Sequence, residues 1–318
     1  MLFITNRQLK QSNRSRKNRK IDFDLAQNAP ANDLYYCRRT AENEYIEIGS
    51  EALLQELKEV NYRELLFFIH GFSNLPEPDI FPRVETLQAL FDAKENGLVK
   101  VVPLIWPCDN DFGIIKDYWD DQKSADASAP AFARLLNRFI DWRQQQTEEP
   151  CLKRINMLSH SMGNRVFRQS LAAWHKYDLP GGVPLLFRNT FLIAADVVNE
   201  TLEKGQPGEL ISHASRNVSV YFASDDLALR ASKISNLKNH IASRRLGHTG
   251  PEDMNRVHNN VFAIDCDDIN NEYDNPKGHS YFLNDSAGNP GRVFEHMYKC
   301  ISTGRVIVDD SNRRTTIL

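Results

Sequence analysis

Three side chains spread widely along this sequence have the types needed for acyl chemistry: a serine at an abrupt corner, an imidazole in a late loop, and a carboxylate closing a strand. The serine is Ser161. The stretch Arg154 to Asn164 opens with a short apolar-rich run that stops at Ser161, after which Met162, Val166, Phe167, Leu171 and Trp174 recur at helical spacing. A buried strand that becomes a helix within one or two residues makes a strained corner, and a serine there has its hydroxyl thrust out of the sheet, as in a nucleophile elbow. The usual pattern is Gly-x-Ser-x-Gly, and here it reads Ser159-His160-Ser161-Met162-Gly163, with another small residue in place of the leading glycine. Such a helix also aims free backbone N–H groups at the space beside Ser161. The plain alternative is a buried serine in an ordinary strand-to-helix turn.

A serine hydroxyl is a weak nucleophile near neutral pH and needs a base, which in turn needs a group that holds its tautomer. Of the histidines after residue 223, His240 falls on a basic helical stretch, His296 on a final helix, and His258 just before a strand, at the wrong end of the sheet. His248 lies between them. His279, flanked by Gly278 and Ser280 in a loop beyond the last long strand, is best placed to be the base. For the acid, Asp225 and Asp226 close the strand at Val218 to Ala223, and Asp196 closes the one at Phe187 to Ala195. Neighbouring residues at a strand end point to opposite sides, so one of the pair should reach the imidazole. Asp226 is the first choice, Asp225 the second and Asp196 the third.

The elements that position these groups follow from the apolar pattern. Leu65 to Ile69 is a continuous apolar run of the kind that both-sided burial in a parallel sheet requires, and it ends in His70-Gly71-Phe72. Glycine directly after a buried strand lets the backbone bend, so the N–H of Phe72 is expected to serve an oxyanion. Strands alternate with helical patterns from residue 64 onward, which predicts an α/β fold with a doubly wound, mostly parallel sheet of about eight strands. In such sheets the site gathers at the carboxyl ends of the strands, where Ser161, Phe72, Asp226 and His279 all fall. The whole chain, 1–318, reads as one domain. Residues 7–20, with Lys10, Arg14, Arg16, Lys17, Arg19 and Lys20, read as a solvated basic loop, and 107–128 and 227–260 as candidate lid or rim insertions. The tail after Ile307 is expected to be loosely held.

Composition narrows the function classes. With 41% hydrophobic and 25% charged residues the chain is an ordinary globular protein, and a net charge of −3 argues against a nucleic-acid partner. Five scattered cysteines without a Cys-x-x-Cys pair read as reduced thiols. The apolar start is too short for a signal peptide, and no stretch approaches the roughly 20 apolar residues of a membrane span, so a cytoplasmic location is expected. His240, His248 and His258, with Glu252 and Asp253 nearby, lack the spacing that puts two ligands on one helical face, so no metal site and no cofactor are expected.

Taken together, His70-Gly71-Phe72, Trp106-Pro107, the elbow with Asn164 and Arg165, Ala195-Asp196-Val197, Asp226-Leu227-Ala228-Leu229 and Gly278-His279-Ser280-Tyr281 resemble the alpha/beta-hydrolase superfamily. The likeness runs from about residue 60 to 300. It is strongest to a bacterial branch of hydrolases of unknown function that carry a Ser-His-Ser-Met-Gly-Asn elbow. The resemblance implies a Ser161, Asp226 and His279 triad, an oxyanion hole from the N–H groups of Phe72 and Met162, and a small-molecule acyl substrate. It names no substrate. The expectation is a serine hydrolase acting on an ester or related acyl bond. Acyl transfer by the same residues is one alternative; a non-catalytic binding module meeting an anionic partner through the basic loop is another. Oligomeric state is left open.

Overall fold

The computed structural model of the chain describes residues 1–108, 114–230, 244–274 and 277–317, with side chains at all of these except 114–117. Its frame is one eleven-stranded sheet in the order β11-β10-β9-β8-β7-β5-β6-β1-β3-β4-β2. The central strands are β5 (Glu64–Ile69), β6 (Val99–Ile105), β7 (Arg154–His160), β8 (Phe187–Ile193), β9 (Ser215–Phe222) and β10 (Val261–Asp265), all parallel to their neighbours. β1 (Leu2–Thr5) extends the parallel set beside β6, and β3 (Tyr35–Ala41), β4 (Glu44–Glu47) and β2 (Arg19–Ile21) then add an antiparallel wing.

The apolar run of β5 shows why the strand lies at the centre. Leu65, Phe67 and Ile69 pack on one face with α1 (Ser50–Glu59), α3 (Ile114–Gln145) and α4 (Gly163–Tyr177). Leu66 and Phe68 pack on the other with α2 (Phe81–Glu95) and a late helix, Arg292–Thr303. Each such side chain contributes about 1.5–3 kcal/mol of burial, so the strand is held from both faces at once. Register sets the edge where a site can form: Ile69 pairs with Ser159, and His160 with Ile193, so these strands end level.

The sheet has more strands than the eight expected. β2, β4 and β11 (Arg314–Thr316) are the additions, each only three or four residues long and rich in charged or polar residues, so they carry little apolar signal. β2 takes up the end of the basic loop, where Arg19 Nε meets the buried Glu47 carboxylate at 2.7 Å. β11 pairs in parallel with β10, so the tail expected to be loosely held is partly built into the sheet.

From residue 114 the stretch expected as a loop is instead the first half of α3, which carries Pro130 within it. Small buried residues, Ser124, Ala125, Ser128 and Ala129, give this part little hydrophobic signal but let the helix lie close to its neighbours. Arg165 of α4 grips Asp126 through Nε and Nη2, both at 2.7 Å. Within 227–260, residues 231–243, with His240, lie outside the described residues, as does Phe112 of the other insertion. Residues beyond 244 are threaded onto the sheet's carboxyl edge: Gly247 N donates to Ala195 O at 2.9 Å and Gly247 O accepts from Ala223 N at 3.0 Å. A Cβ at Gly247 would lie 2.1 Å from Ala195 N, so only glycine permits that approach. Among the described residues, no helix is long and apolar enough to cross a membrane.

Candidate active site

The corner after β7 is built by backbone strain and close packing. Ser161 has φ of 55°, a left-handed conformation uncommon for a residue with a side chain. Its N–H donates to Ile193 O at 2.9 Å, and the Asn164 side-chain amide donates to the carbonyls of Ser159 at 3.1 Å and Ser161 at 2.9 Å. Two glycines clear the space. A Cβ at Gly163 would lie 2.6 Å from His70 O, and one at Gly71 would lie 2.9 Å from Ser161 Cβ. The loops after β5 and β7 therefore touch through backbone at the serine itself.

Asp226 and His279 meet beside His160, the residue that leads into this corner. Asp226 is fully buried after β9; its Oδ2 lies 2.7 Å from His279 Nδ1, and its Oδ1 accepts the Leu229 N–H at 2.9 Å. The second bond caps the helical turn at 227–230 and fixes the carboxylate plane. With Nδ1 donating to a carboxylate, the lone pair of the neutral ring resides on Nε2. Burial alone would disfavour a charged His279, but the Asp226 carboxylate outweighs it and moves the imidazole above its ordinary pKa, with Asp196 adding a weaker pull in the same direction. The His279 backbone is pinned as well: its N–H donates to Asp274 Oδ2 at 2.9 Å and its carbonyl accepts from His160 Nε2 at 3.1 Å.

The other two carboxylates go elsewhere. Asp225 takes the side-chain amides of Asn270 and Asn271, on the opposite side from Asp226. Asp196 pairs with the buried Arg245 guanidinium, Nε to Oδ1 at 3.1 Å, and its own N–H donates to Ser161 O at 3.2 Å. Among the remaining histidines, His296 bonds Tyr221 Oη at 2.8 Å and the Ile307 carbonyl at 3.2 Å, and His258 sits at the amino edge of the sheet against Glu209. His248 lies on a short turn of helix, Leu246–Thr249.

The loop that carries Phe72 is held by residues whose part the sequence did not disclose. His70 is fully buried and stacks on Trp106, with ring centroids 5.2 Å apart and planes within 4°. Trp106 N donates to His70 Nε2 at 3.2 Å, His70 Nδ1 donates to Gly71 O at 2.8 Å, and Trp106 Nε1 donates to His70 O at 2.9 Å. Burial lowers the His70 pKa to about 3, so the ring stays neutral and acts as a bracket for the turn. Tyr118, one of the aromatics expected at a rim, is buried edge-on against Phe72 at 5.8 Å. Among the described residues, neither the Phe72 nor the Met162 N–H donates to a protein acceptor. His160 is the other participant missed. Its place between strand and serine was visible, but not its contact with the His279 carbonyl, 119 residues away.

The strained Ser161 corner and the Asp226–His279 pair are joined through His160, whose ring centroid lies 4.8 Å from that of His279, at the carboxyl edge of a doubly wound sheet. The family model described as alpha/beta hydrolase of unknown function (DUF900) matches residues 48–287. The chain belongs to that family. The match takes in Ser161, Asp226 and His279 and leaves β1 to β4 and β11 outside it. No curated protein matches the sequence. Among solved structures, a phospholipase PlaB from Legionella pneumophila in complex with thio-NAD is similar at 14% identity and a TM-score of 0.29, covering 64% of this chain. The aligned part spans 37% of that chain.

Proposed function

We propose that this alpha/beta hydrolase is a serine hydrolase that cleaves an ester or related acyl bond. Ser161 Oγ attacks the carbonyl carbon while His279 Nε2 takes its proton. The tetrahedral oxyanion is received by the N–H groups of Phe72 and Met162. As the intermediate collapses, His279 returns the proton to the leaving group and an acyl-serine remains; a water activated by the same imidazole then frees the acid. Asp226 keeps the tautomer and balances the imidazolium. The observation that carries this reading is the 2.7 Å contact between Asp226 Oδ2 and His279 Nδ1, packed against His160, the residue before a serine held at φ of 55°. The Phe72 and Met162 N–H groups, without a protein acceptor among the described residues, support the oxyanion assignment, and loss of one such donor should cost about 10²–10³-fold in turnover. All five cysteines are buried free thiols, which favours a reducing compartment such as the cytoplasm.

A fluorophosphonate probe tests the assignment directly. Labelling should map to Ser161 and vanish in Ser161→Ala, and a panel of short and long acyl nitrophenyl esters should give burst kinetics that the variant lacks. Product analysis with a competing alcohol or amine separates hydrolysis from acyl transfer, which the same residues would perform. Burst acylation surviving in Ser161→Ala would overturn the proposal.

A further inference from the structure

The amino edge of the sheet, opposite the serine, holds a second constellation of chemically capable side chains. Glu209 and His213 lie on the short helix Glu209–Ala214 that leads into β9, four residues apart and so on one face. His258 comes from the segment just before β10. Its Nε2 lies 2.7 Å from Glu209 Oε1, and His213 Nε2 lies 3.5 Å from the same oxygen. The two imidazole centroids are 4.9 Å apart, and the three donor atoms all fall within 4.8 Å of one another.

We propose that Glu209, His213 and His258 form a binding site for a zinc ion that clamps the start of β9 to the segment preceding β10. A carboxylate oxygen and two imidazole nitrogens are the mixed donor set that zinc accepts, whereas magnesium and calcium prefer oxygen alone. Bonds of about 2.0–2.1 Å in tetrahedral geometry place donors about 3.3 Å apart. The Glu209–His213 spacing meets this, the Glu209–His258 spacing has to open by about half an ångström, and rotation of the His213 ring, 44% exposed, closes the third edge. The carboxylate is aimed beforehand: its Oε2 accepts the Gly205 N–H at 2.7 Å, leaving Oε1 for the ion. His258 is anchored through its carbonyl, which accepts Arg313 Nη1 at 2.6 Å. A water completes the fourth position. A plain ion pair between His258 and Glu209 would explain one imidazole at this oxygen but not two.

Only Glu209 and His213 share a helical spacing; the third member, His258, is 49 residues beyond Glu209 and meets it only once β9 and β10 pair, so the sequence carries no three-residue motif. Its distance from the serine edge assigns it a part in stability and not in the acyl chemistry.

The full chain, freed of any affinity tag and dialysed against a chelator, should bind one zinc ion by titration calorimetry and melt at a higher temperature when zinc is added. With zinc at about 100 times its Kd, the folding constant should rise about 100-fold. Cobalt in place of zinc should give the intense visible absorption of a tetrahedral site. Loss of an outer partner of a metal-bound histidine already weakens affinity about 10–100-fold, so His213→Ala and His258→Ala should each lose at least that much. Glu209→Gln, which keeps the shape, should also bind weakly. Because His213 is exposed, His213→Ala should fold, and its circular dichroism checks that it does. Absence of saturable binding by the unaltered chain, or undiminished binding by the folded His213→Ala or His258→Ala variant, overturns the proposal.

Discussion

The imidazole of His160 lies against that of His279, ring centroids 4.8 Å apart, while its Nε2 donates to the His279 carbonyl at 3.1 Å. The residue before the proposed nucleophile thus sets the position of the proposed base, through one hydrogen bond and one ring contact. Phe282 also packs against the His160 ring, with centroids 5.1 Å apart. Replacing His160 with Phe keeps the packing and removes the donor. Turnover should then fall about tenfold to a hundredfold with KM little changed, since small errors in a catalytic group's placement cost that much. His160→Gln, whose amide can reach the carbonyl, should recover part of the loss. Equal turnover in both variants and the parent would remove the positioning role.

Asp226 predicts a pH signature. Burial opposes the charged form of His279 and the carboxylate overrides it, so the imidazole titrates above the ordinary histidine value of about 6.5. As the proposed base must be neutral, kcat/KM should fall as pH drops through that raised pKa. In Asp226→Asn the opposing burial is left unbalanced, so the acidic limb should move to lower pH while turnover drops on the order of 10⁴-fold. A limb unmoved by the substitution would assign it to another group.

Asp196, the third choice for the acid, should give the opposite phenotype. Its side chain is 2% exposed and that of its partner Arg245 is 7% exposed. Asp196→Asn leaves a buried guanidinium without its counter-charge, a change that costs about 3–5 kcal/mol. Chemical denaturation should show that loss, while the folded fraction still reacts with the fluorophosphonate probe. Full stability with lost reactivity would instead make Asp196 a participant in the chemistry.

What the sequence disclosed, and what it withheld, follows from where each signal lives. Leu65 to Ile69 and the corner at Ser161 are local patterns, written in consecutive residues, and the structure has them as a central strand and a strained turn. Asp226 and His279 could be placed at strand ends by counting strands, and they meet in space. The first half of α3 could not be read, because Ser124, Ala125, Ser128 and Ala129 are buried for their small size and Pro130 looks like a stop. Short edge strands such as Arg314–Thr316 owe their conformation to a neighbour's backbone and leave no period in their own residues. His70 illustrates the same limit: its stacking on Trp106 is a product of the parallel pairing of β5 with β6.

The two glycines at the corner make a steric prediction. A methyl group at residue 71 would stand 2.9 Å from Ser161 Cβ and 3.2 Å from His160 Nδ1, whereas at 163 it would meet backbone oxygens at 2.6 and 2.7 Å. At 71 the elbow backbone that carries Ser161 Cβ has to shift, whereas at 163 two carbonyl oxygens at the end of β5 stand in the way. Gly71→Ala should therefore fold with its serine displaced and its acylation slowed, and Gly163→Ala should be destabilised by about 1–3 kcal/mol. Thermal melts and probe-labelling rates measured on both variants distinguish the two effects, and wild-type labelling by Gly71→Ala would show that the contact is relieved elsewhere.

Acid should unfold this protein through its buried neutral histidines. Burial lowers the His70 pKa to about 3, and burial, reinforced by His279 and Arg83, lowers that of His160. Below about pH 6.5 the unfolded chain binds a proton at each position and the folded chain does not, so stability falls with pH by about 1.4 kcal/mol per unit for each group. His279 has the opposite sign. Its raised pKa contributes stability that is fully present below about 6.5 and lost as pH rises through the folded value, so it adds no slope in the acid window. Between pH 6 and 5 carboxylates scarcely titrate, which isolates the histidines. The unfolding free energy from urea titrations should drop by about 3 kcal/mol across that unit through His70 and His160, and further through His296, whose pKa burial also lowers. In His70→Asn, whose amide can still donate to the Gly71 carbonyl, the drop should shrink by about 1.4 kcal/mol; an unchanged slope would mean that His70 is protonated in the folded state.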